Sequence, residues 1–187
     1  MPTLTATNSL STKLATIKPH IGNTPLLRIE GFHDNENVQI FAKLEWKQLS
    51  GSVKARAAYN IIKNAILENK LTPDKILLDA SSGNTGIAYA TIGKKIGLNV
   101  TILLPENASS ERKNILKSLG AEIIYTSKFG GTDEAQDAAK ELAERYPEKY
   151  FYADQYSNEN NWKAHYHGTA EEIIHEKPQL DYFIAGL

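Results

Sequence analysis

The chain has 187 residues, 41% of them hydrophobic and 23% charged, with a net charge of −1. That is the composition of a globular protein of one large or two small domains, and it gives no electrostatic case for nucleic acid or an anionic membrane as partner. There is no cysteine, which excludes disulfides and thiolate-bound metal and points to an intracellular, cytoplasmic home.

No apolar run approaches the roughly 20 residues of a membrane span. Residues 1–15 are Ser/Thr-rich, without arginine or a hydrophobic segment, and are expected to be an irregular start rather than a signal or transit peptide. From there the pattern alternates. Residues 38–46 (VQIFAKLEW) read as a strand, and Ser52 to about Asn69 as a helix whose stripe is Val53, Ala57, Ala58, Ile61, Ile62, Ala65 and Ile66. Residues 75–81 are a short buried strand, and 85–97 a helix stopped by Gly97. Strand 99–105 precedes helix 109–120, which begins on serines suited to capping and ends on Gly120. Strand 121–127, helix 132–146, strand 150–156, helix 161–176 and a final strand 180–187 follow. Strand and helix in alternation with short links predict parallel strands with crossover helices, a doubly wound α/β fold.

Ligands of such folds bind beyond the carboxyl ends of strands, and two places there carry chemistry. The turn Ser81-Ser82-Gly83-Asn84-Thr85-Gly86 joins a strand to a helix start. Glycines allow close backbone approach, and the helix start offers free N–H groups and partial positive charge, so a carboxylate or phosphate would suit it. A capped helix start in a flexible turn has the same composition. It is neither a P-loop nor a dinucleotide fingerprint, since no Gly-Lys-Ser/Thr follows and the chain has no G-x-G-x-x-G. The second place is Lys54, in the first turn of its helix, where the dipole disfavours an ammonium and a neutral amine could attack a carbonyl. A lysine that snorkels from the stripe into water would look the same.

Taken together, these segments resemble the cysteine synthase and cystathionine β-synthase family, pyridoxal-phosphate enzymes of the tryptophan synthase β fold (fold type II). The resemblance runs in order along the chain: IGNTPLLRI (21–29), KLEWKQLSGSVKARAAYNII (43–62), SSGNTGIAYA (81–90), LPENASSERKNILKSLGAEIIYT (104–126) and QYSNENNWKAHYHGTAEEI (155–173). It implies that Lys54 holds pyridoxal 5′-phosphate as a Schiff base and that Asn84 bonds the 3′ oxygen of the cofactor. Ser81, Ser82, Gly83 and Thr85, completed by Gln155, would then cradle the carboxylate of an amino-acid substrate. The activity implied is β-replacement on an O-activated serine, acetylserine plus sulfide giving cysteine. Lys54, once released, removes the α-proton, and a homodimer is the family's usual assembly. Residues 1–34 would begin the larger cofactor domain, 35–155 would form the smaller mobile one, and 156–187 would return into the larger.

The sequence departs from the family in three places. Ala55 replaces the usual aspartate after the lysine, and Gln48-Leu49 stand where Asn-Pro is common. The family's glycine/threonine-rich phosphate loop, which follows the strand at 180–187, and its later serine would lie beyond Leu187, so a larger domain left incomplete is expected, as in a fragment or half of a split pair. A truncated, non-catalytic binding partner is the alternative outside enzymes. Within them, RAAYNII leans toward serine/threonine dehydratases, but Thr85 stands where those carry histidine. His165, His167 and His175 are read as scattered surface or core histidines rather than a metal site.

Overall fold

Four of the short apolar runs lie side by side. The computed structural model, which describes residues 4–186, pairs β3 (Ile76–Ala80) with β4 (Val100–Pro105) and with β6 (Tyr150–Tyr152), and β4 with β5 (Glu122–Thr126). All are parallel, in the order β5-β4-β3-β6. Every residue of β4 is buried, as befits a central strand covered on both faces. Successive side chains of β3 divide between those faces. Leu77 joins Ile102 and Leu104 in a core shared with helices α1 (Leu4–Ile17), α2 (Lys54–Leu67), α3 (Asn84–Ile96) and α4 (Ser110–Ser118). Leu78 and Leu103 pack instead with Ala135 and Ala139 of α5 (Gly131–Arg145).

The stripe of α2 is buried as its spacing predicts, from Ala57 and Ala58 through Ile61, Ile62, Ala65 and Ile66. α3 stops at Gly97, whose φ of 76° is left-handed and whose N–H bonds Gly93 O at 2.8 Å. Gly93 itself lets helix and strand touch, since a Cβ there would lie 2.6 Å from Val100 Cγ2.

Five expectations are corrected. From Leu4 the irregular start is a helix; serine and threonine lower its intrinsic propensity, but Leu10, Leu14 and Ile17 fall on one face and are buried in the core. Met1–Thr3 lie outside the described residues. The segment 38–46 does not join the parallel sheet: its strand β2 (Ile40–Lys43) pairs antiparallel with β1 (Leu26–Ile29) in a separate ribbon. Residues 181–186 form no strand, and Tyr182, Phe183 and Ile184 stay exposed, because strand propensity needs a neighbouring strand to act on. Leu187 is outside the described residues. The helix read at 161–176 begins at Glu159 and is interrupted: α6 (Glu159–Ala164) and α7 (Glu171–Glu176) flank a π turn at His165–Ala170. Ser109 stands at the N-cap of α4 but its side chain caps nothing.

Candidate active site

The ladder of β3 runs one residue past its end, with Ser81 N donating to Leu103 O at 3.0 Å, and then the chain turns. Ser81 Oγ is buried and accepts from Gly83 N at 3.3 Å and Gly86 N at 3.0 Å, so it braces the turn from inside while keeping its own proton to donate. Gly86 is closed in: a Cβ there would lie 3.2 Å from Ser81 O. Gly83 is open, because a Cβ there would meet nothing within 4 Å. Asn84 is the exposed first residue of α3, Ser82 is half-buried and Thr85 is buried. The loop therefore presents backbone, and an Asn84 amide with no partner among the described residues, at a helix N-terminus.

Because β6 is the neighbour of β3, the residues after it arrive at the same end of the sheet. Gln155 is buried there, its Nε2 donating to Ala80 O at 2.9 Å. Asp154 before it has a φ of 46°, a left-handed conformation uncommon outside glycine. With the chain so turned, Gln155 N donates to Asp79 Oδ2 at 3.3 Å. Asn161 Nδ2 donates to Gln155 O at 2.7 Å and ties this corner to α6.

Lys54 is exposed on the first turn of α2, the helix that packs against α3 and α6. Its N–H reaches Ser52 Oγ at 3.4 Å, while Nζ makes no hydrogen bond or ion pair among the described residues. Ala55 beside it is fully buried, where the family's aspartate would lose its hydration. Two residues on, the Arg56 guanidinium is buried and forks twice. Nε and Nη2 donate to Glu45 at 2.8 Å each, Nη1 and Nη2 to Glu172 at 2.6 and 2.7 Å, and Nη2 also to Thr24 Oγ1 at 3.1 Å. Gln48 belongs to this network, accepting from Gly22 N and donating to Glu45 Oε2, both at 2.9 Å. Burial pushes the Glu172 carboxyl up, but hydrogen bonds from Arg56, Asn23 N–H and Lys43 outweigh it and hold it at about 2. Glu45 is likewise lowered, against burial, by Arg56, Thr24 and Gln48.

His165 is the residue that spacing did not single out. It opens the π turn, half-buried, with Nδ1 3.1 Å from Thr169 Oγ1. Burial, and then the charges of Lys54 and Arg56, lower its pKa, so it shares their surroundings. No local pattern links residues 54 and 165; the charge of Lys54 reaches His165 only once α6 and the π turn have packed on α2. His167 and His175 stay exposed.

These residues fit pyridoxal phosphate by their donor chemistry. An amine without a partner among the described residues can condense with its aldehyde, an amide likewise without one there can bond its ring oxygen, and Gly83 leaves the surface of the loop open. The chain is 43% identical to the cysteine synthase of Aquifex aeolicus over 176 residues, 92% of this chain and 54% of that protein. Among solved structures it is similar to cysteine synthase from Entamoeba histolytica (TM-score 0.80, 36% identity, 87% of this chain and 49% of that one). It is also similar to a hydrogen sulfide-producing enzyme from Fusobacterium nucleatum (TM-score 0.82, 36% identity, 89% and 50%). The chain spans about half the length of the curated relatives it matches. The family described as "Pyridoxal-phosphate dependent enzyme" matches residues 17–187, and the chain belongs to it.

Proposed function

We propose that the chain is the N-terminal portion of a cysteine-synthase-like enzyme that replaces the β-substituent of an O-activated serine, acetylserine plus sulfide giving cysteine. The observation that carries this is the bond from Gln155 to Ala80 O, the residue just before the Ser81–Thr85 loop, at the carboxyl ends of two adjacent parallel strands and ahead of the start of α3. Hydroxyls, amide N–H groups and a helix N-terminus suit the carboxylate that every amino-acid substrate carries.

In this reading Lys54 and Asn84 hold the cofactor, one through its amine and the other through its amide. The cofactor, when bound, draws electrons away from the α-carbon of an amino acid attached to it. Ser82, Gly83 and Thr85 bind the substrate carboxylate. Ser81 and Gln155 contribute the protons their internal hydrogen bonds leave free, and their larger task is to keep the loop in shape. Lys54 Nζ then takes the α-proton as general base. The division implied by the family is 1–34 and 156–187 in the larger domain and 35–155 in a smaller mobile one, with α1 packed on the core of the smaller one, in a cytoplasmic homodimer like those of the family.

An absorption titration of the chain with pyridoxal phosphate, beside Lys54→Ala, tests this. The expected result is a visible band that Lys54→Ala abolishes and that O-acetylserine shifts. A band that survives unchanged in Lys54→Ala would overturn the assignment. Pyruvate from serine alone, in place of cysteine from O-acetylserine and sulfide, would move the enzyme to the dehydratases.

A further inference from the structure

Asp79 is an ionisable group that the mechanism above does not use, and it is fully buried in the sheet. Its carboxylate is built into the corner behind the loop. Oδ1 accepts from Ala80 N at 2.8 Å, and Oδ2 from Gln155 N at 3.3 Å. Gln155 returns the link through its side chain, which donates to Ala80 O. The residue-80 peptide is thus held at both its N–H and its C=O, immediately before Ser81. The clasp joins β3 to the chain just after β6, and it needs Asp154 in a left-handed conformation to aim Gln155 N at Asp79. Strained backbone persists where the surroundings over-determine it, and it collects at functional sites.

We propose that Asp79 is the positioning residue of the carboxylate site: its side chain locks Gln155 to the start of the Ser81–Thr85 loop, and so sets the two halves of that site against each other. The site assignment rests on the function proposed above; the clasp does not. An aspartate is suited to this work because it accepts one N–H from its own strand and one from the chain that follows β6, whereas an asparagine offers one oxygen and turns an N–H donor toward the other.

The ionisation of Asp79 makes the clasp observable. Burial pushes its carboxyl up to about 7, against the two backbone N–H groups and Tyr89, while Asp154 pushes it the same way as burial. The titratable groups around it are Tyr89 of α3, Tyr152 of β6, and Asp154 and Tyr156 just after β6. The tyrosines are all raised from their ordinary value, burial first and the Asp79 charge after it. As pH rises, Asp79 is therefore the neighbour that changes charge near neutrality, and both N–H bonds strengthen as it does.

The test is a pH titration of the isotope-labelled 187-residue chain by NMR. The Ala80 and Gln155 backbone N–H signals should move together, with one inflection near neutral pH that Asp79→Asn removes and Asp154→Asn keeps. An inflection that survives Asp79→Asn would overturn the proposal. So would Gln155 and Ala80 signals in the wild-type chain that do not titrate together, which needs no variant to fold. Acetate then serves as a carboxylate probe, read at the Ser81–Thr85 amides above the inflection. Asp79→Asn should weaken its binding about tenfold, and equal binding in both chains would overturn the positioning role. If wild-type amides ignore acetate while the Asp79-dependent inflection is intact, the carboxylate-site reading fails and the clasp stands.

Discussion

Asp79 and Glu172 respond to pH in opposite directions, and together they shape the stability of the chain. Glu172 is held at about 2, below its ordinary value, so its contribution is present above about pH 4.5 and is lost as pH falls toward 2. Asp79 is pushed up to about 7, so the folded state binds its proton more tightly than the unfolded chain does. That contribution is complete below about pH 4 and is lost as pH rises to about 7. The urea midpoint should therefore be highest at about pH 4 to 5 and decline on both sides. Asp79→Asn should flatten the neutral limb and Glu172→Gln the acid limb; a limb that survives its own variant belongs to another group. Legibility differed sharply among such residues. Lys54 and the Ser81–Thr85 loop carry local signals, a cation on a helix start and small polar residues between strand and helix. Gln155 came from the family resemblance alone. Asp79, Arg56 and His165 carry no local signal, because what distinguishes them is burial beside groups up to 116 residues distant.

At the scale of elements, hydrophobic period was a good guide wherever an element meets the main core. α2, α3 and the parallel strands were read within a few residues because their apolar positions repeat cleanly and glycine marks the end of α3. Period failed where the deciding partner is remote. β2 has the alternation of any strand, and nothing local says that it pairs with β1 rather than β3. α1 was hidden by its hydroxyl residues, yet three of its side chains are nearly inaccessible, Leu14 at 4% among them. Burial of that kind makes α1 part of the core rather than a removable tail. Leu14→Ala should cost about 2–5 kcal/mol in chemical denaturation, the range for a buried leucine whose cavity only partly collapses. A change within about 0.5 kcal/mol, the behaviour of a surface site, would detach α1 from the core.

Among the described residues, the longest unbroken run of exposed large apolar side chains lies near the C-terminal end. The sheet edges are blunted: β6 is three residues long, and β5 carries Glu122, which takes a hydrogen bond from Thr101, and Tyr125, which lies under the Lys113 ammonium. The C-terminal chain is anchored as far as Lys177, whose Nζ lies over the Phe41 ring of the β1–β2 ribbon. Beyond it, Tyr182, Phe183 and Ile184 are 87%, 71% and 93% exposed in succession. Side chains of this size in a continuous exposed run favour association over solvation. The 187-residue chain should therefore self-associate with rising concentration in sedimentation velocity. The double substitution Phe183→Glu and Ile184→Asp should shift it toward monomer without lowering its urea midpoint, because neither side chain joins the buried core clusters. Association that persists in this variant would place the contact elsewhere on the exposed apolar surface, with Phe32 of the β1–β2 connection and Phe129 the next most exposed side chains to test. The two outcomes separate a chain that sticks through its C-terminal run from one that sticks through another part of its surface, because the two substitutions remove the exposed apolar character of that run and of nothing else.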